Sequence, residues 1–180
     1  FSRQACADEL TMNPDGTFSQ AEITSCGLNG GPLPAKHTYP AAIACCLMGP
    51  DRETMGLLPL KPENGPKTPI PYHTGAKNEF AEGGYRSRIE NLRPGAVFGF
   101  KYLDFGDSAS HLTMTLRGTG AVSLRLDDPD SGEVAALSVD SGAWAAVSAD
   151  FKPITGVHAV YFSVIGSADD KIACTDFQFH

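Results

Sequence analysis

The chain has 180 residues, of which 42% are hydrophobic and 19% charged, so it is long enough for one ordinary domain with a packed core. The formal net charge is −7 and neither half is basic, which excludes a nucleic-acid-binding surface built on clustered Lys and Arg. The longest apolar run, Ala41–Met48, is far too short to span a membrane as a helix, and no membrane partner is predicted.

The first residues lack the charged start and apolar stretch of a signal peptide, and the chain begins at Phe1. We expect any targeting segment to lie upstream, so the compartment, extracellular or cytoplasmic, stays open. The cysteines are odd in number and contain no CxxC pair, which favours small buried side chains in a reduced protein over disulfides or a metal site. They are Cys6, Cys26, Cys45, Cys46 and Cys174.

Residues 7–24 have the pattern of a β-hairpin. Polar and apolar residues alternate through Glu9–Met12 and again through Thr17–Ile23, and Asn13-Pro14-Asp15-Gly16 between them suits a type I turn. A lone hairpin cannot bury its apolar face, so this one is expected to belong to a sheet outside this chain. An exposed apolar patch should remain where it met that sheet.

Residues 27–79 are predicted to form a linker that wraps a surface. Nine of the 13 prolines lie between Pro32 and Pro71, a density that excludes a regular helix or a central strand. Within this segment only the apolar run Ala41–Met48 is predicted to form a strand.

Residues 80–180 read as an antiparallel β-sandwich. Short segments with period-two alternation follow one another, and no helical period occurs. Turn signals separate them at Gly106-Asp107, Gly118-Thr119-Gly120, Asp130-Ser131-Gly132, Ser141-Gly142, Pro153 and Gly166. The predicted strands are Phe98–Tyr102, His111–Arg117, Val122–Asp127, Glu133–Val139, Ala143–Phe151, Gly156–Ile165 and Lys171–Phe179.

The motifs of nucleophilic, phosphate-binding and zinc enzymes are absent, and no catalytic residue is predicted in this chain. No cofactor is expected. The acidic run Asp127–Glu133 could hold calcium, but Asp, Pro and Gly are also what a tight turn requires, and the turn is the favoured interpretation.

Trp144, the single tryptophan, is the most informative candidate for a binding role. An aromatic ring can stack on the apolar face of a sugar, with polar neighbours fixing its hydroxyls. The sequence leaves two interpretations open at this position: a sugar platform at a loop end, or an anchor of the sandwich core.

Several segments, in this order, resemble family 6 carbohydrate-binding modules. They are Tyr102-Leu103-Asp104-Phe105-Gly106, Arg125-Leu126-Asp127 with Gly132-Glu133, Ser141-Gly142-Ala143-Trp144, Gly156–Phe162 and Asp176-Phe177-Gln178-Phe179. The resemblance implies a jelly-roll sandwich over roughly residues 85–180, with Trp144 in the main cleft. Phe98, Phe100 and Tyr102 are the candidates for the aromatic residue that pairs with it.

Two positions depart from the pattern of those modules. Where they carry a sugar-contacting Asn and an Asp, this chain has Ala173 and Thr175. We therefore expect weak sugar binding or none, because one stacked ring contributes on the order of 1 kcal/mol.

The first 27 residues resemble the end of the catalytic β-propeller of family 43 glycoside hydrolases, whose catalytic acids lie in earlier blades. The resemblances together imply three parts: a last-blade hairpin (1–26), a linker (27–79) and a sandwich (80–180). They imply an accessory domain of a hemicellulose-degrading xylosidase or arabinofuranosidase, which supports the propeller and is not catalytic alone. The alternative is a module that binds xylan or arabinoxylan on Trp144. The implied partners are such a polysaccharide or oligosaccharide and the propeller.

Overall fold

The computed structural model describes residues 7–50, 70–73 and 87–180, which form ten β-strands and one turn of 3₁₀ helix, Ala41–Ile43. The described residues contain no helix long and apolar enough to cross a membrane. The strands are β1 (Leu33–Pro34), β2 (Tyr39–Pro40), β3 (Cys46–Met48), β4 (Ile70–His73), β5 (Ser87–Leu92), β6 (Val97–Asp104), β7 (Ala109–Leu126), β8 (Ala135–Ile154), β9 (Val157–Ile165) and β10 (Lys171–Phe179).

One long, bent strand, β7, joins the two layers of the fold. Its first part pairs with β10 up to Thr119, and its last part pairs with β9 from Ala121 onward. β8 runs beside nearly the whole of β7. The sheet order is β1-β6-β9-β7-β10-β5-β4, so β9 and β6 belong to one layer and β10, β5 and β4 to the other.

Aromatic rings fill the space between the two layers. Phe177 on β10 lies with its ring centroid 4.5 Å from that of Phe100 on β6 and 5.4 Å from that of Phe162 on β9. Because β10 is hydrogen-bonded to neither strand, these contacts cross the interior. The predicted all-β sandwich is confirmed, and its core follows the period-two alternation of the strands.

The strand boundaries correct two of the sequence predictions. Gly118-Thr119-Gly120 and Ser141-Gly142, both predicted as turns, lie inside β7 and β8. Gly118 and Gly120 have φ values of 115° and 136°, so the backbone bends from one layer into the other instead of reversing. Glycine can adopt a positive φ in a turn or in a bend. Pairing of β7 with β10 and then with β9 selects the bend.

Two short strands of the linker segment, β1 and β3, lie along the free edge of β6, whereas β2 pairs with β10 and β4 with β5. Leu33 pairs with Leu103, Cys46–Met48 pairs with Gly99–Val97, and the Ser25 backbone N–H donates to the Lys101 carbonyl over 2.5 Å. This covers an edge that would otherwise present unpaired backbone groups. Prolines are tolerated because these strands are two or three residues long. In the predicted strand Ala41–Met48 only β3 is extended, and the proposed boundary at residue 80 lies outside the described residues.

Only the turn and one bridge of the predicted N-terminal hairpin are present. Gly16 N donates to the Asn13 carbonyl over 3.0 Å, which closes the predicted turn, and Met12 and Phe18 form an isolated bridge. The flanking segments do not continue as a ladder. Phe18 and Met12 are both more than half exposed, as expected for a hairpin without its sheet.

Candidate functional site

Trp144 lies on the surface of the sandwich, with 38% of the residue exposed. It stands on β8 where the pairing with β7 shifts register, between Ala145 opposite Leu116 and Ser141 opposite Gly118. Ala145 faces the same side as buried Leu116, so the alternation of the strand places Trp144 on the outer side. The core-anchor interpretation of Trp144 is therefore wrong, and its ring remains available for contacts from solvent.

The guanidinium group of Arg117, on β7, covers part of this ring. Its central carbon lies 4.6 Å from the ring centroid, within the range of a cation–π contact. Nη2 of Arg117 donates to Oε1 of Glu90, on β5, over 3.1 Å. Nε of Arg88 also pairs with that Glu90 oxygen, at 2.5 Å. We call Arg88, Glu90, Arg117 and Trp144 the polar row.

The small side chain of Ala173 explains how the polar row can pass from β5 to β7. It lies on β10, between β5 and β7, directly opposite Arg117, and is 4% exposed. Its methyl group is small enough for the Glu90–Arg117 ion pair to pass over it. At the position where the resemblance implies a sugar-contacting Asn, this chain thus has a methyl group between the strands that carry Glu90 and Arg117.

The polar row contributes little to the stability of the fold. The Arg117 and Glu90 side chains are 37% and 27% exposed, and ion pairs of this kind contribute about 0–1 kcal/mol. An exposed cation–π contact adds about 0.5–1 kcal/mol. What the row does is hold the Arg117 guanidinium in one orientation beside the ring.

The carboxylate of Asp176 lies on the same face of the sheet as the polar row. Both oxygens of Asp176 accept hydrogen bonds, from the Thr115 hydroxyl at 2.8 Å and from the Thr175 hydroxyl at 2.7 Å. The β10 register shifts between Cys174 and Asp176. Sequence alignment puts Thr175 in the place of the family's Asp, but this shift lets Asp176 supply a carboxylate on this face.

The three residues considered as partners for Trp144 separate into two groups. Phe98 and Phe100 are completely buried, with ring centroids 5.1 Å and 6.0 Å from that of Phe162. Neither can present a face to a sugar, and we correct them to core residues. The β6 pairing shifts between Phe100 and Leu103, which brings Leu103 into the core and leaves Tyr102 partly exposed.

Tyr102 belongs to a different set of contacts from Trp144. Its hydroxyl donates to Oε2 of Glu22 over 2.9 Å, and Nζ of Lys101 donates to Oε1 of the same carboxylate over 2.7 Å. The hydrogen bond from Lys101, then that from Tyr102, holds the pKa of Glu22 below its usual value. The hydrogen bond to Glu22 raises the pKa of Tyr102 in turn. Tyr102 therefore connects the N-terminal segment to the sandwich.

An open cleft of about 310 Å³ lies between that segment and β6, with Tyr102 on one wall. Asp8, Glu9 and Glu22 line it, so its character is acidic. The side chain and backbone N–H of Thr24 donate to the Asp8 carboxylate and lower its pKa. This cleft was not anticipated from the sequence, because nothing in the hairpin pattern indicates where the hairpin docks.

The acidic run at 127–133 builds its own turn. Asp127, at φ 65°, accepts a hydrogen bond from the Ala159 backbone N–H at 3.2 Å and pairs with Nδ1 of His158 at 2.9 Å. Oδ1 of Asp128 accepts from the Asp130 backbone N–H at 2.7 Å. Within residues 7–50, 70–73 and 87–180 no three His, Cys, Asp or Glu side chains converge as metal ligands would. These contacts support the turn interpretation, and the calcium site stays an untested prediction.

Cysteine placement differs from the sequence prediction. Cys174 is buried, whereas Cys26, Cys45 and Cys46 are half-buried, and no disulfide joins any two of these four described cysteines. The Cys26 thiol lies 3.4 Å from the Lys101 carbonyl oxygen, under the N-terminal segment. Cys6 lies outside the described residues. Among the four described cysteines, only Cys174 fits the prediction of a buried small side chain.

Comparison with known proteins agrees with the fold and with the sequence motifs. No protein-family model matches the chain. A xylosidase/arabinosidase from Thermoclostridium stercorarium is 32% identical over 182 residues, which cover 98% of this chain and 37% of the relative. The chain thus spans little more than a third of the length of this curated relative.

Two solved structures show the same fold. A family 6 carbohydrate-binding module from Clostridium stercorarium, in complex with cellobiose, matches with a TM-score of 0.62 at 20% identity, over 83% of this chain and 97% of that one. A family 43 arabinoxylan arabinofuranohydrolase from Bacillus subtilis, in complex with cellotetraose, matches with a TM-score of 0.59 at 19% identity. That match covers 96% of this chain and 33% of the enzyme. The chain therefore shares the fold of these two structures, and over nearly its whole length it is similar to a part of a xylosidase/arabinosidase.

Proposed function

We propose that this chain is an accessory domain of a hemicellulose-degrading family 43 glycoside hydrolase, which supports the catalytic propeller and does not hydrolyse glycosides by itself. The observation that carries the proposal is the position of the exposed apolar side chains. Five of the eight large hydrophobic residues exposed in the described chain lie within residues 10–28, and they are 55–74% exposed. They are Leu10, Met12, Phe18, Ile23 and Leu28.

The same segment is attached to the sandwich by polar contacts. Glu22 binds both Lys101 and Tyr102, and the Ser25 backbone pairs with Lys101. A segment with polar contacts to one body and apolar side chains facing away from it is suited to join that body to another. Burying one such side chain is worth about 1.5–3 kcal/mol, so several together would hold two domains in a fixed arrangement. The resemblance of residues 1–27 to a last propeller blade suggests the propeller as the second body.

A chimeric enzyme tests this support role. The matched stretch of the Thermoclostridium stercorarium relative is replaced by this chain, and the thermal midpoint and xylosidase activity are measured. We expect Phe18→Ser with Ile23→Ser to lower the midpoint of the chimera. Val157→Ser, which removes an equally apolar side chain 49% exposed on the sandwich, serves as the matched control.

Two outcomes would contradict the proposal. The first is an equal midpoint for the hairpin variant and the Val157→Ser control. The second is hydrolysis of an aryl xyloside by the isolated chain, because the resemblance assigns the catalytic acids to the propeller.

A second candidate function is carbohydrate binding on Trp144, and the exposed ring beside the polar row favours it. One face of a pyranose or pentose would stack on the uncovered part of the ring, while polar groups of the row would contact its hydroxyls. The expected affinity is low, with a dissociation constant in the millimolar range. Xylan or arabinoxylan oligosaccharides are the expected ligands.

The fluorescence of Trp144 reports such binding from a single source. We expect a saturable change on titration with xylo- or arabino-oligosaccharides. Trp144→Ala should abolish retardation in a xylan-containing gel, and Val157→Ala should not. The absence of any change up to millimolar sugar would remove this candidate and leave the accessory role alone.

A further inference from the structure

We propose that Arg117 makes the Trp144 platform selective for acidic sugars, namely hexuronic acid units such as those on substituted xylans. This inference rests on the second candidate function above and names its ligand class. It concerns a residue that the sequence motifs did not indicate, because the arginine lies on β7 and not on the strand where family 6 modules carry their polar contact.

The hydrogen-bonding groups of Arg117 leave one side of its guanidinium open. Its Nη2 binds Glu90, at 3.1 Å to Oε1 and 3.5 Å to Oε2. No other hydrogen bond of Arg117 occurs within the described residues. Nη2 carries two hydrogens, and the one that is not used for Glu90 runs parallel to an N–H of Nε or of Nη1. Such a parallel pair on a planar guanidinium matches the two oxygens of a carboxylate. A carboxylate therefore satisfies Arg117 better than a single hydroxyl does.

Cation–π stacking keeps these donors beside the ring. With the guanidinium 4.6 Å from the ring centroid, a sugar stacked on the exposed part of Trp144 lies next to them. A hexuronic acid has an apolar ring face and, attached to the same ring, a carboxylate. It can stack on the tryptophan and present a carboxylate to the arginine at once, whereas a neutral pentose offers only hydroxyls.

The charge next to the Trp144 ring is opposite in sign to the net charge of the whole chain. The chain carries a formal charge of −7, but the group that lies over the Trp144 ring is the positively charged guanidinium of Arg117. Asp176 also lies on this face, but the hydroxyls of Thr115 and Thr175 donate to its two oxygens. The guanidinium of Arg117 is thus the charged group nearest the ring with donors to spare.

The test compares binding of two xylotrioses, one plain and one bearing a glucuronic acid branch, by titration calorimetry at low ionic strength. We expect the acidic sugar to bind about tenfold more tightly. Reducing its carboxylate to the alcohol should remove this advantage, and so should 0.5 M salt in large part. This comparison needs no variant, so it does not depend on whether a substituted protein folds.

Variants then assign the effect to Arg117. Arg117→Met should bind both sugars equally, whereas Arg117→Lys keeps the charge but not the paired donors and should retain a small preference. Lys152→Met removes an exposed positive charge on β8 away from the row and should leave the tenfold ratio unchanged. Circular dichroism confirms that each variant is folded.

The outcomes separate this inference from the function on which it rests. Equal affinity for the two sugars, with binding lost in Trp144→Ala, would overturn the role of Arg117 and keep the platform. Failure of both sugars to bind would overturn both. A preference for the acidic sugar that survives Arg117→Met would also refute the assignment.

Discussion

Gly118 should be the least replaceable glycine of the sandwich. A Cβ atom at this position would lie 2.0 Å from the carbonyl oxygen of Lys171 and 3.2 Å from the Cα atom of Ile172. Ordinary contact begins at 3.4 Å, so the start of β10 would have to move by about 1.4 Å. Ile172 is 1% exposed, and such a movement would pull it out of the core.

The expected loss of stability for Gly118→Ala is about 4 kcal/mol. Displacing packed backbone costs about 1–3 kcal/mol, and holding a non-glycine residue at φ 115° costs a further 1–3 kcal/mol. Domains of this size have unfolding free energies of about 5–15 kcal/mol, so the variant should be close to unfolding.

Two other glycines provide a graded comparison. Gly142→Ala has no atom within 4 Å of the new methyl group and no positive φ, and it should be neutral or slightly stabilising, by up to about 1 kcal/mol. Gly120→Ala meets a flexible end of Ile172 at 3.2 Å and should fall between the two. Urea unfolding followed by circular dichroism measures all three. A difference between Gly118→Ala and Gly142→Ala of less than about 1 kcal/mol would refute the account of the bend in β7.

Three further predictions concern single side chains. Burial raises the pKa of the Cys174 thiol, so iodoacetamide at pH 8 should label the three half-buried cysteines first; equal labelling of Cys174 by peptide mass spectrometry would contradict its burial. The depressed pKa of Glu22 means that its contacts with Lys101 and Tyr102 are intact above pH 4.5 and are lost as the pH falls through the folded-state pKa. Hydrogen exchange of residues 19–28 should rise in that pH range. It should not rise in Glu22→Gln, which should exchange fast at every pH. Ala173→Asn should push the Arg117 guanidinium off the tryptophan and increase acrylamide quenching of its fluorescence, whereas unchanged quenching would mean that the ion pair does not depend on a small residue at 173.

Local alternation predicted the strands of the sandwich well, because one face of each strand is buried and the other is not. It did not predict which segments join into one strand. The glycines at 118 and 120 allow a positive φ in a turn or in a bend, and the choice depends on pairing with residues about 45 to 55 positions further along the chain. The short strands β1 and β2 were missed for a related reason: they pair only because β6 and β10 offer them an edge.

At the candidate site too, the sequence indicates which residues to consider, while the pairing of distant strands decides which of them are exposed. The motif order made Trp144 a candidate, but the sequence left its exposure open, and the structure shows the residue 38% exposed. Phe98, Phe100 and Tyr102 are spaced as one face of a strand, and that spacing made all three candidates. The register shift in β6 separates Tyr102 from the other two, and no feature of residues 98–103 in the sequence indicates this shift.

Ala173 illustrates why a binding site cannot be assessed one aligned position at a time. Read from the sequence, this alanine removes a polar contact and predicts weaker binding. In the fold, the absence of a longer side chain on β10 is what allows Glu90 and Arg117 to meet across it, and the pair then holds a guanidinium against Trp144. Under the proposed sugar-binding function, the contact that the resemblance assigns to residue 173 and the charged donor that Arg117 supplies cannot be judged separately. The proposal therefore concerns the preferred ligand as well as the affinity.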